Sequence, residues 1–213
     1  MSVNNKAYLF ENKLVLNQWV LAVLEVNDFS EIQHWLDDDA LEGLNEENVT
    51  HFHEALLAHW GKRTRVKKDD LLRYDNNIVN HWQRITAKRN ISEGRTLHLK
   101  YFQYLALLFT EIYLDNYFRH PDALLAEINA VIDAYNTGIP DDDLVHTFEV
   151  SELNKLAFWM ATGSGKTLLM HCNLLQYQHY LKKHRRENEI DRVILLTPNE
   201  GLSEQHHKEF ELS

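Results

Sequence analysis

At 213 residues, 44% of them apolar, the chain can bury one sizeable core or two modest ones. Seven glycines and three prolines exclude a low-complexity chain and favour a helix-rich one. A net charge of −10 argues against a protein that coats nucleic acid indiscriminately, and the single cysteine, Cys172, cannot close an internal disulfide. A reducing, cytoplasmic setting is therefore expected, with Cys172 as plain packing. Met1 to Lys6 carry no basic-then-apolar signal pattern, and no run is long and apolar enough for a membrane span.

The first 96 residues read as a helical domain. Leu14, Leu16, Trp19, Val20, Val23 and Leu24 mark one amphipathic helix. Asp28 or Ser30 can cap the next, with Gln33 as a capping-box partner for Ser30. Val49, Phe52, Leu56, Leu57 and Trp60 mark a third, ended by Gly61. Leu71, Leu72, Ile78, Val79, Trp82 and Ile85 mark a fourth, capped near Asp69 or Asp70 and broken by the turn-like Asn90 to Gly94. Residues 97–150 form a second helical region. It holds an apolar helix from about Leu99 to Phe118, interrupted by Thr110 and Glu111. Another starts at His120-Pro121-Asp122, with proline in its first turn, and runs to about Tyr135. Pro140 to Asp143 read as an exposed loop.

Charge is uneven. Glu31 to Glu47 carry seven acids and no lysine or arginine, whereas Lys62 to Arg89 carry nine bases against Asp69, Asp70 and Asp75. The basic stretch fits either a solvated helix face or a phosphate contact. Thirteen histidines raise the question of a metal. His51 and His53 face different sides of a helix, and adjacent His206 and His207 are poorly placed for one ion, so no histidine metal site is expected.

The chemistry concentrates in residues 151–213. Thr162-Gly163-Ser164-Gly165-Lys166-Thr167 is a phosphate-binding loop by composition. Glycine at 163 and 165 lets the backbone curl around an anion, with amides pointing inward and a helix N-terminus behind them. Lys166 would reach the β- and γ-phosphates, and the Thr167 hydroxyl would be a ligand to Mg²⁺, so ATP and Mg²⁺ are the expected cofactors. Met160 stands where the strict pattern has its first glycine. Leu156 to Met160 and Arg192 to Thr197 read as short buried strands on either side of a helix, the second stopped by Pro198. The basic run Lys182 to Arg186 fits the C-terminal turn of that helix. The predicted fold is thus a mostly α N-terminal region followed by an incomplete α/β P-loop domain. Two strands and two helices cannot cover both faces of a sheet, so residues 151–213 are expected to lean on the helical region or to be partly disordered.

Three segments carry a resemblance. Met160 to Thr167 is similar to the motor subunits of type I and type III restriction enzymes. Thr197 to Gln205, with its Pro-x-x-x-Leu-x-x-Gln order, resembles motif Ia of superfamily 2 (DEAD/DEAH-like) helicases. Leu99 to Ala106 resembles the glutamine motif of the same superfamily. The resemblance implies a RecA-like fold for 151–213, adenine recognition by Gln103, and contact of one nucleic-acid strand with Pro198, Asn199, Gly201 and Gln205. It also implies DNA rather than RNA as partner, a restriction or phage-defence setting, and a possible partner subunit. No Asp-Glu-x-His segment occurs in the chain, so no catalytic set is complete. The sequence reads as the N-terminal part of a larger motor that binds ATP without turning it over. Two other readings stay open. One is a small P-loop kinase, with Arg185, Arg186 and Arg192 as its lid. The other is a helical docking module with a vestigial nucleotide site.

Overall fold

The computed structural model describes residues 10–60 and 64–212. The proposed helix stop at Gly61, and Lys62 and Arg63 of the basic stretch, lie outside the described residues. Nine α-helices occur among the described ones: α1 (Phe10–Lys13), α2 (Val15–Leu24), α3 (Phe29–Leu36), α4 (His51–Trp60), α5 (Lys68–Glu93), α6 (Tyr101–Arg119), α7 (Pro121–Asn136), α8 (Lys166–Lys183) and α9 (Glu200–Leu212).

Local chemistry sets most helix ends. Asp28 caps α3, its carboxylate accepting the Glu31 N–H at 3.1 Å, so of the two candidate caps the aspartate serves. Pro121 occupies the first turn of α7, where its missing N–H costs nothing. The last turn of α8 carries Lys182 and Lys183. The fourth predicted helix, α5, starts at Lys68 and runs straight through Asn90 to Glu93, ending at Gly94 rather than at Asn90.

α6 is the centre of the packing. Its apolar residues lie on all sides, and a helix of that kind has to be surrounded. It contacts α3, α5, α7 and α8. Tyr104, Leu107, Leu108 and Ile112 are fully or almost fully buried on it. α8 lies against α5 and α6, burying Leu169, Cys172, Tyr180 and Leu181. Each buried leucine of this kind contributes about 1.5–3 kcal/mol. Cys172 is wholly buried, and burial pushes its thiol well above the usual range, which fits packing.

The α/β expectation is overturned. Among the described residues no strand forms; the sole ladder contact is an isolated bridge between Leu44 and Thr50. Residues 155–160 and 192–197 lack regular structure and do not pair. Trp159 is 90% exposed, Ile194 73% and Leu196 87%. A two-stranded ladder is marginal in water, and parallel strands need both faces covered. The chain instead spends the apolar face of α8 on the all-helical body.

A polar network seats α8 alongside its apolar contacts. Glu111 of α6 is 1% exposed. It accepts from Asn77 Nδ2 of α5 at 2.8 Å, Gln176 Nε2 at 2.7 Å and the Tyr180 hydroxyl at 2.8 Å. Gln176 also donates to the Leu107 carbonyl at 2.9 Å. One turn along, Asp115 takes Arg73 at 3.1 Å, the Tyr74 hydroxyl at 2.8 Å, Arg119 at 3.1 Å and Lys183 at 3.2 Å. The two carboxyls respond oppositely. Burial pushes Glu111 up to about 7, against the pull of its three hydrogen bonds. Burial would raise Asp115 as well, but the Tyr74 hydroxyl and the Lys183, Arg73 and Arg119 charges outweigh it and hold the carboxyl below its ordinary value.

The raised Glu111 value has a defined sign. The folded state binds its proton more tightly than the unfolded state does. Its contribution is fully present below the ordinary value of 4.5 and is lost as pH rises through about 7. His81 and His179, at the same interface, are shifted down chiefly by burial, so their contributions are lost as pH falls below 6.5. Comparison with Glu111→Gln isolates the carboxyl. Relative to the parent protein, this variant should gain stability between pH 5 and pH 8, by on the order of 2–3 kcal/mol. Urea unfolding at both pH values measures it, and a constant difference between the two proteins would contradict the assignment.

Candidate functional site

The glycine loop predicted to bind phosphate lies at the N-terminus of α8. Gly163 and Gly165 both have left-handed backbones, with φ of +78° and +83°. Gly165 is the N-cap of α8 and supplies no side-chain cap. The first-turn amides of a helix have no intrahelical acceptor, so this end can receive an anion. Two further features describe the loop. Nothing lies within 4 Å of a Cβ built on Gly163, so that face of the loop is open. The Ser164 hydroxyl, shielded from solvent, has no hydrogen-bond partner among the described residues. Lys166 is exposed and folds back on the loop, its Nζ donating to the Ala161 carbonyl at 2.7 Å and the Met160 carbonyl at 3.2 Å. Those carbonyls hold the ammonium at the loop mouth. Thr167, the candidate Mg²⁺ ligand, lies half-buried in the first turn.

Gln103 is brought to the loop despite its distance in sequence. It sits in the first turn of α6, 8% exposed. Its Oε1 accepts the Lys100 N–H at 3.0 Å, and its Nε2 donates to the Ser164 carbonyl at 2.9 Å. Both ends of the amide that the resemblance assigns to adenine are thus engaged.

Pro198, Asn199, Gly201 and Gln205 are exposed around the start of α9. Asn199 Oδ1 accepts the Leu202 N–H at 3.0 Å and so caps the helix. Thr197 and Ser203 share a short hydroxyl contact across the same turn. α9 rests on α5 and α8, with Lys88 donating to the Glu211 carbonyl at 2.7 Å. Of the basic stretch, Arg73 turns inward to Asp115, while Arg84 and Lys88 are exposed.

The residues that seat α8, namely Glu111, Gln176, Tyr180 and Asp115, were not identified as site residues from the sequence. Their one signal was the interruption of an apolar helix by Thr110 and Glu111. A cavity of about 170 Å³ lies among α2, α5, α6 and α7, walled by Arg65, Asp70, Asp115, Arg119 and Glu127, and takes no residue from the loop. Among the described residues no group of three or more His, Cys, Asp or Glu side chains is placed to hold a metal. No described helix is long and apolar enough to cross a membrane.

The glycine loop lies inside a segment that resembles a known family. Residues 122–213 match the family described as type III restriction enzyme, res subunit. The match runs from α7 through the loop to α9 and supports a helicase-like restriction-motor family for this part of the chain. It leaves out Gln103 and the carboxylates of α6. No curated protein and no solved structure matches the chain.

The two glycines differ in surroundings, and this sets an expectation. Alanine at either position would sit in a left-handed backbone, at a cost of about 1–2 kcal/mol. At Gly165 the new Cβ would also stand 2.7 Å from Gln103 Nε2, whereas at Gly163 it meets open space. Gly165→Ala should therefore destabilise the protein more than Gly163→Ala, by roughly a further 1 kcal/mol, the worth of one displaced hydrogen bond. Urea unfolding of both variants checks the ranking, and equal losses would show that the Gln103 contact is immaterial.

Proposed function

We propose that the chain carries the ATP–Mg²⁺-gripping part of a DNA translocase or helicase, of a bacterial restriction or phage-defence system, working in the cytoplasm. The observation that carries this reading is a glycine loop with two left-handed glycines at a helix N-terminus, inside the segment that matches the res-subunit family. Lys166 and the loop amides would hold the β- and γ-phosphates, and Thr167 would be a ligand to Mg²⁺. Bound Mg²⁺ would neutralise phosphate charge; the residues of this chain bind and orient.

The family match also supports a DNA partner. The exposed residues Pro198, Gly201 and Gln205, beside the capped start of α9, are the candidate strand contacts. A second subunit of a restriction complex is the natural companion. With no Asp-Glu-x-His segment among its 213 residues, the chain by itself should hold ATP without hydrolysing it. A small kinase is less well supported, because the 170 Å³ cavity that could hold an acceptor takes no residue from the loop.

Titration with ATP–Mg²⁺, paired with a phosphate-release assay, tests the reading. The expected result is binding without release. Lys166→Ala should weaken binding tenfold to a hundredfold, roughly the worth of a charge-assisted hydrogen bond. Absence of binding in the parent protein, or equal binding by Lys166→Ala, would overturn it. Phosphate release that depends on Lys166 would overturn the claim of a non-hydrolysing chain.

A further inference from the structure

The Gln103 amide makes two bonds that together tie the loop to the central helix. One, to the Lys100 N–H at 3.0 Å, fixes the side chain to the N-terminus of α6. The other, to the Ser164 carbonyl at 2.9 Å, reaches across to the loop. The fit is close, because even a single carbon added to Gly165 would stand 2.7 Å from Nε2. Peptide planarity gives this contact a consequence. In a trans peptide the C=O of one residue and the N–H of the next point in opposite directions. Holding the Ser164 carbonyl against α6 therefore turns the Gly165 N–H to the side away from α6.

We propose that Gln103 is a positioning residue for the phosphate loop: it holds the Ser164 carbonyl and so aims the Gly165 N–H at a bound phosphate. The proposal rests on the triphosphate reading above. It differs from recognition of adenine. A base-reading amide needs a free donor and acceptor, whereas here both are taken by the backbone, and reading a base would mean giving up both bonds. Gln103 also lies outside the segment matched by the res-subunit family, so the role follows from this chain's own contacts. Its anchor is firm: α6 is the most enclosed helix, and the residue that follows Gln103, Tyr104, is fully buried and bonded to Asp75 at 2.9 Å.

The test uses the full chain and three probes: ATP, GTP and inorganic tripolyphosphate, each with Mg²⁺. Gln103→Ala should weaken all three by the same factor, about threefold to tenfold, the worth of one hydrogen bond. It should also speed amide exchange at Ser164 and Leu169, whose N–H groups donate to the Ala161 and Gly165 carbonyls, in the absence of ligand. Gln103→Glu keeps the acceptor for the Lys100 N–H but, when ionised, cannot donate to Ser164. Its deficit relative to the parent protein should be present at pH 8 and shrink as the carboxyl protonates on acidification, a pH profile that simple loss of packing would not give. A loss confined to ATP, with tripolyphosphate unaffected, would overturn the proposal in favour of base reading. Unchanged affinities and exchange rates would overturn it outright. If the parent protein bound none of the three probes, the triphosphate reading would fail; the exchange arm would then decide the latch, and unaltered exchange in Gln103→Ala would reject it.

Discussion

Glu111 and Asp115 stand one turn apart on α6, and the two carboxyls receive hydrogen bonds from two neighbouring helices. Asn77, Arg73 and Tyr74 come from α5; Gln176, Tyr180 and Lys183 come from α8. The glycine loop is the N-terminal extension of α8, so whatever fixes α8 fixes the loop. Apolar burial of Leu169, Cys172 and Leu181 is non-directional and would tolerate a slide of the helix along its neighbours. Hydrogen bonds to buried carboxyls are satisfied in one register only, and a shift would strand polar groups at about 1–3 kcal/mol each. The carboxylates therefore set the register, while the apolar residues supply most of the adhesion.

The loop then has two tethers to the same helix. At its far side, α8 is seated on Glu111 and Asp115. At its near side, the Ser164 carbonyl is held by Gln103. Both run to α6, which is enclosed by α3, α5 and α7 as well as α8. A glycine loop is entropically costly to order. Here a helical platform orders it, and the extended segments before it and after α8 contribute no ladder. The exposed Lys166 completes the arrangement, resting on the Met160 and Ala161 carbonyls at the mouth.

Much of this was legible in the residues. Apolar periodicity located α2, α4, α6 and α7, and the glycine–lysine signature located the loop and the helix behind it. Helix ends are less legible: Asn90 to Glu93 have turn-like residues but continue α5 as far as Gly94. The larger error concerned Leu156 to Met160 and Arg192 to Thr197. A short apolar run has strand length and strand composition whether or not a partner strand is at hand, so pattern alone could not reveal that the two segments would stay unpaired. Gln103 shows a different limit. The structure does bring Gln103 to the glycine loop, but an amide serves a base or a backbone carbonyl equally well, and the choice depends on where α6 lies relative to the loop. Glu111 was visible merely as an interruption in an apolar helix, and its partners come from sequence-distant α5 and α8.

In the proposed function, the helical platform presents the glycine loop to a triphosphate. The most direct measurement is a crystal structure of the full chain with Mg²⁺ and a non-hydrolysable ATP analogue. The β- and γ-phosphates should lie within hydrogen-bond distance of the loop amides and Lys166, with α8 still seated on Glu111 and Asp115 and no ladder between residues 155–160 and 192–197. A nucleotide bound elsewhere, or α8 lifted from α5 and α6, would contradict this reading.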